Sequence, residues 1–298
     1  MTETLADEAV ATADEGAAAP RRRPALSPSR AADFKHCPLL YRFRAVDRLP
    51  EVPSRAQLRG TLVHAVLERL FELPAEQRRP EVARGLVEPV WAQLQQDAPD
   101  LVAQLFTGPD DAELGDWLES VDPLLGAYFA LEDPRSLQPE ARELLVETEL
   151  ASGVLLRGYI DRLDVAPSGE LRVVDYKTGA APGEAAETRA LFQMKFYALA
   201  LLQLRGVVPA QLRLLYLADA QVLSYTPDEE ELRRFEHTLE AIWAAVLRAA
   251  GDGDFRPNRG RGCEWCNHKA LCPAWGGTPP PYPGWPAADA DEPAPDRA

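Results

Sequence analysis

From residue 56 to 73 the chain reads AQLRGTLVHAVLERLFEL, with Leu58, Leu62, Val63, Val66, Leu67 and Leu70 recurring at three- and four-residue steps. That spacing lines one face of an α-helix and predicts one here. A shorter helix is predicted in SPSRAADFKHC, where Ser27 can cap the free N–H groups and Pro28 suits the first helical position. Two more helical stretches are expected around 81–97 and 111–131. The period then changes. ELLVETELAS (143–152), VLLRGYIDRLDVA (154–166) and LRVVDYK (171–177) alternate or run β-branched, with hairpin turns at Ser152-Gly153 and at PSGE. ETRALFQMKFYALALLQLRG (187–206) returns to helix and ends at Gly206. QLRLLYLAD and QVLSYT predict two further strands. A last long helix, opened by a capping signal at Thr226, Pro227 and Glu229, runs to Gly251. A helical first part followed by mixed strands and helices predicts the α/β (α+β) class, a mixed sheet flanked by helices.

Composition narrows this only a little. With 298 residues and 46% apolar content, the chain can bury a sizeable core in one large domain or two smaller ones. No apolar run reaches the length of a membrane span. The first 20 residues are Ala-rich and acidic and precede Arg21-Arg22-Arg23, the reverse of a secretory signal, so a cytoplasmic location is expected. Four cysteines in a reducing compartment point to ligands or spectators before disulfides.

The net charge of −15 argues against nucleic acid until its distribution is seen. Residues 1–19 and 277–298 are acidic and rich in Ala, Pro and Gly, the composition of disordered tails. Residues 21–60 carry ten Arg or Lys against Asp33, Asp47 and Glu51. A local cationic segment fits phosphate binding, and it equally fits an ordinary solvated face. No G-x-x-x-x-G-K-[ST] loop is present, so the chain is not itself an ATP-driven motor.

Two constellations carry candidate chemistry. Asp175 and Lys177 in VVDYK point to one side of their strand, about 7 Å apart along it. Asp161 on the preceding strand can lie beside Asp175, and two converging carboxylates suit a hard divalent cation. Lys177 then stands where it could orient a metal-bound water or neutralise a phosphate. Asp-x-Lys alone is a weak signal, and a surface ion pair is the bland alternative. The second constellation is Cys37 with Cys263-x₂-Cys266-x₅-Cys272. Such a set means zinc or an iron–sulfur cluster, spacing alone does not decide between them, and free buried cysteines are the alternative.

Taken in order, SPSRAADFKHCPLLYRF, the helical histidine of GTLVHAVLERLF, Asp161, VVDYKTG, the Gln193/Tyr197 helix and CEWCNHKALCPAW resemble the PD-(D/E)XK nuclease superfamily, specifically its RecB-type branch. The resemblance covers most of residues 27–275 and implies a restriction-endonuclease-like core. It implies a nuclease domain over 26–276 with a helical insertion at about 74–140, between tails at 1–25 and 277–298. His64, Asp161 and Asp175 would hold Mg²⁺ or Mn²⁺, helped by the Tyr176 carbonyl, with Lys177 as the catalytic lysine. Gln193 and Tyr197 would contact DNA or brace the site, and Glu147 or Glu149 could add a ligand. Cys37, Cys263, Cys266 and Cys272 would hold a [4Fe–4S] staple, with Zn²⁺ as the alternative. Arg42 and Arg44 would guide DNA that is single-stranded or has free ends. The implied activity is an exonuclease of DNA repair or recombination. Rival readings are a catalytically idle DNA-binding module serving a helicase partner and a zinc-stabilised adaptor. The complete set of acids and lysine favours the enzyme.

Overall fold

A computed structural model describes residues 23–106, 111–181 and 183–286, so most of both expected tails lies outside the described residues. The chain opens with α1 (Pro28–His36), capped by Ser27 Oγ accepting from Arg30 N, and α2 (Pro38–Tyr41). A π-helical turn (Arg42–Val46) leads to α3 (Arg55–Glu72), which begins with a capping box between Ser54 and Gln57. Five helices follow: α4 (Pro80–Gly85), α5 (Val87–Asp97), α6 (Pro99–Leu105), α7 (Asp111–Glu119) and α8 (Asp122–Leu131). The two long helices expected here are each broken into shorter ones, and α6, which begins at Pro99, is an addition.

The strands are β1 (Pro139–Glu149), β2 (Leu155–Val165) and β3 (Leu171–Lys177), then α9 (Glu184–Arg205), β4 (Gln211–Tyr216), β5 (Gln221–Tyr225) and α10 (Glu229–Asp252). They form one five-stranded sheet in sequence order. All neighbours are antiparallel except β3 and β4, which α9 joins as a parallel crossover. The cap of α10 is Asp228, whose carboxylate accepts from Glu231 N at 2.7 Å, rather than the expected Thr226. Asp228 is a better N-cap than a threonine two residues further out, where the backbone is not yet helical.

Alternation along the central strands sends side chains to two cores. Val173 and Leu214 pack with α9 and α10, while Val174, Tyr176 and Leu215 pack with α3, α5 and α8. Helices α5 and α8 therefore cover α3 and one sheet face, and α3 is packed against the strands that carry VVDYK. On the other face, residues beyond 276 are held in place. Tyr282 donates to Ala250 O at 3.0 Å and Trp285 meets Trp243 with centroids 5.9 Å apart. Two aromatic anchors thus extend the packed chain into a stretch whose Pro/Ala/Gly composition reads as tail.

Candidate active site

Strand register puts three acids in one row. Arg142 pairs with Arg162 and Leu144 with Ile160, which sets Glu143 opposite Asp161. Arg162 pairs with Val174, so one step along, Asp161 stands opposite Asp175. Asp175 is buried, with 1% of its surface exposed. Glu143 is not among the acids that the strand pattern singles out. Its backbone is left-handed, φ +42°, a conformation a non-glycine residue keeps only when its surroundings impose it. Counting the register back from the Ser152-Gly153 hairpin is the signal that finds it. Glu147 and Glu149 are engaged elsewhere, by Arg157 and Arg23.

α3 supplies the histidine from above the sheet. His64 Nε2 lies 2.9 Å from Tyr176 O, and Nδ1 lies 3.5 Å from Asp161 Oδ2. A carbonyl can only accept, so Nε2 carries the proton and Nδ1 turns a lone pair toward the acids. His64, Glu143 and Asp161 offer ligand atoms that all lie within 4.8 Å of one another. One imidazole nitrogen and carboxylate oxygens are a donor set that fits a divalent Mg²⁺ or Mn²⁺. The Tyr176 carbonyl, expected to help at the metal, here accepts from His64 and orients the ring. Tyr176 N donates to Asp161 Oδ2 at 2.7 Å.

The lysine is held by one amide. Lys177 Nζ donates to Gln193 Oε1 at 2.9 Å, while Gln193 Nε2 donates to Asp175 Oδ1 at 2.9 Å and to Tyr197 Oη at 3.0 Å. Lys177 Nζ also sits 2.7 Å from Asp175 Oδ2, a charge contact whose angle falls outside a hydrogen bond. Gln193 and Tyr197 therefore brace the acid and the lysine. Tyr197 reaches this place because Gly158 has no side chain: a Cβ there would lie 2.9 Å from the Tyr197 ring.

Burial and the Asp175 charge raise the pKa of Asp161 well above the ordinary carboxylate value. Burial, Glu68 and Asp175 also raise that of Glu143. Burial lowers that of His64, and Asp175 only partly offsets it. Burial pulls the pKa of Lys177 down, but Asp175, Asp161 and Tyr216 together outweigh it and move it up, so it stays charged. The signs for stability oppose each other. The raised Asp161 contributes stability that is lost as pH climbs through its folded pKa, whereas the lowered His64 contributes stability lost as pH falls through its own. For cation binding the signs agree, since a proton on either group must leave first. Affinity for Mg²⁺ is therefore expected to tighten on the order of tenfold or more between about pH 5 and pH 8, measured by calorimetric titration. A flat profile would count against these two residues as ligands.

All four cysteines line one cavity of about 40 Å³, together with His36 and His268. Asn258 N and Gly260 N each point at a sulfur, those of Cys37 and Cys263, at 3.4 Å. Among the described residues, His64, Glu143 and Asp161 are the one set of three such ligands lying within 4.8 Å, so no three of the sulfurs come that close. Arg42 and Arg44, expected to guide DNA, have partners within the protein. Arg42 is buried against Asp47 at 3.0 Å and donates to Pro280 O, and Arg44 bonds Asp33 and Glu51. Burial of Arg42 leaves it no access to a phosphate.

Residues 25–273 match the family model of the PD-(D/E)XK nuclease superfamily. The Gene 69 protein of Mycobacterium phage D29 is 29% identical, the match covering 62% of this chain and 71% of the phage protein. The Gene 69 protein of Mycobacterium phage L5 is 26% identical, covering 85% and 97%. A crystal structure of a provisionally named exonuclease from Eubacterium rectale shares the fold, with a TM-score of 0.55 at 17% identity over 82% of this chain and 87% of that one. Among the described residues, no helix is long and apolar enough to cross a membrane.

Proposed function

The chain belongs to the PD-(D/E)XK nuclease superfamily, and from that premise we propose that it is a divalent-metal-dependent deoxyribonuclease of the RecB-type branch. Its substrate on this reading is single-stranded or end-bearing DNA, and its work is exonucleolytic, in repair or recombination. The observation that carries the proposal is the Glu143–Asp161–Asp175 row with Lys177 and His64 at its edges. His64, Glu143 and Asp161 would hold Mg²⁺ or Mn²⁺, with Asp175 beside them. When bound, such an ion supplies a Lewis acid at the scissile phosphate and lowers the pKa of a bound water. Lys177 keeps its proton and offers a fixed positive charge to the phosphate oxygens as negative charge builds there. Gln193 prevents the ammonium and the Asp175 carboxylate from collapsing into another arrangement. The test is digestion of end-labelled single- and double-stranded DNA with Mg²⁺, with Mn²⁺ and with a chelator. Ion-dependent shortening from one end is expected, and an inert protein that still binds DNA would make it the idle module.

The cysteine cavity supports a [4Fe–4S] cluster over zinc. Four thiolates on one Zn²⁺ at about 2.3 Å would stand only about 3.8 Å apart, whereas no three of these sulfurs lie within 4.8 Å of one another. A cube of iron and sulfide separates its ligands more widely, and the backbone N–H groups facing two sulfurs are the kind of contact that tunes such clusters. Protein purified without oxygen is expected to be brown, with broad absorption near about 400 nm. Cys37→Ser should bleach it and leave residues near both ends sensitive to protease. A colourless protein with stoichiometric zinc would refute the cluster and leave the nuclease site standing.

A further inference from the structure

Beside Asp161 the surface opens into a groove of about 650 Å³ between the start of α1, β2 and α9. Arg30, Arg157 and Arg189 line it, Arg157 in an ion pair with Glu147 beyond the lining, and Asp161 is the one acid among the lining residues. That is an unusual local balance on a chain carrying −15 overall. Lys35 adds charge next door, with Nζ 4.5 Å from the ring centre of Phe192, another lining residue. Tyr159 stands on β2 two residues before Asp161 and keeps 53% of its surface exposed, although it lies in the middle of a sheet strand. A half-exposed ring in a cationic groove that ends at a catalytic acid has no packing role to explain it.

We propose that this groove is the track for a single DNA strand, with Tyr159 stacking on the base next to the phosphate at Asp161 and Arg30 and Arg189 taking phosphates. The inference rests on the nuclease reading and specifies how its substrate lies. A ring presented at the surface can stack only on a base whose face is free, and in a duplex those faces are covered by neighbouring pairs. Arginine charge fits the strand's backbone and is indifferent to sequence, so the track reads strandedness more than base identity.

The test uses the full chain in chelator, where no cleavage occurs, and reads fluorescence anisotropy of labelled oligo-dT and an abasic strand of the same length, with a labelled blunt duplex as a third probe. Wild type is expected to bind oligo-dT on the order of 10- to 100-fold tighter than the abasic strand, the worth of about one stacked base. Tyr159→Ala should bring the two affinities together at an unchanged melting temperature, and Tyr159→Trp should keep them apart. Arg189→Ala should weaken both probes alike and shallow the salt dependence by roughly 0.7 of a log unit per log unit of salt. If Tyr159→Ala retains the preference for oligo-dT, the inference is overturned. The same holds if blunt duplex binds as tightly as oligo-dT through a mode indifferent to Tyr159. Cleavage is scored separately. A wild type that fails to cut with Mg²⁺ or Mn²⁺ yet shows the Tyr159-dependent preference loses the nuclease reading and keeps the track. A wild type that cuts, with a Tyr159→Ala variant unchanged in preference, keeps the nuclease reading and loses the track.

Discussion

Alanine in place of Asp175 is expected to abolish DNA cleavage, lowering the rate on the order of 10³-fold or more. Asp175 touches everything in the site at once. It faces Lys177 at 2.7 Å, accepts from Gln193 at 2.9 Å and stands opposite Asp161 across the ladder. Removing it leaves the ammonium with Gln193 Oε1 and Gln193 Nε2 with Tyr197 Oη, and takes one of the three acids out of the row. Lys177→Ala is expected to cost a similar factor for a different reason: the acids stay, and the fixed positive charge goes. Titration with Mn²⁺ separates the two, because binding should weaken in Asp175→Ala and persist in Lys177→Ala. Digestion by both variants at the wild-type rate would sink the assignment of this site.

Arg162→Met is expected to destabilise the fold by about 3 kcal/mol, the lower end of the range for breaking a buried ion pair. Arg162 has no exposed surface. Its guanidinium meets Glu132 at 2.9 Å, Asp164 at 3.0 Å and the Tyr176 hydroxyl at 2.7 Å. Methionine would fill the space and strand two carboxylates. Arg213 at 3.3 Å from Glu132 and Arg172 at 2.8 Å from Asp164 keep the loss from being larger. The same change should reach the active site, because Tyr176 is anchored by its hydroxyl to Arg162 while its main chain holds Asp161 and His64. A urea melt and a Mg²⁺ titration on one variant check both effects. Arg162→Lys should rescue neither, since a point charge cannot span three partners as a planar fork does. Lost stability with unchanged Mg²⁺ affinity would confine Arg162 to packing.

Much of this arrangement was legible beforehand because it is local. VVDYK ends a strand wherever it sits, and the two hairpin turns on either side of β2 set its neighbours. The helical period around His64 put that residue on a helix, and the PD-(D/E)XK resemblance supplied the orientation toward the strands. What escaped depends on distant partners or on conformation. Glu143 enters the site through a left-handed backbone that its residue type disfavours, so no propensity marks it. Arg42 reads as free surface charge until Asp47 and the Pro280 carbonyl close around it, the latter from 238 residues away. Arg162 directly follows a motif acid and nothing local marks it as buried, yet its partner Glu132 comes from the end of α8, 30 residues earlier. The long helices expected over 81–97 and 111–131 break beside Gly85 and Pro89 and before Pro123, local signals that the apolar period alone does not weigh.

Protein synthesis runs from the N-terminus, so the cavity shared by Cys37 with Cys263, Cys266 and Cys272 cannot exist in a nascent chain. At about 5–20 residues per second, the 225 residues between Cys37 and Cys263 take on the order of 10–45 s to emerge. Throughout that interval α1 carries a single ligand, and every strand and both long helices that follow the insertion leave the ribosome before its partners appear. A chain interrupted anywhere in α10 already holds His64, Glu143, Asp161, Asp175 and Lys177, yet lacks three of the four cysteines. On the cluster reading proposed above, the group shared by the four thiolates is therefore acquired only after the proposed site residues have emerged, and a chain that stops before Cys272 cannot hold it with all four ligands.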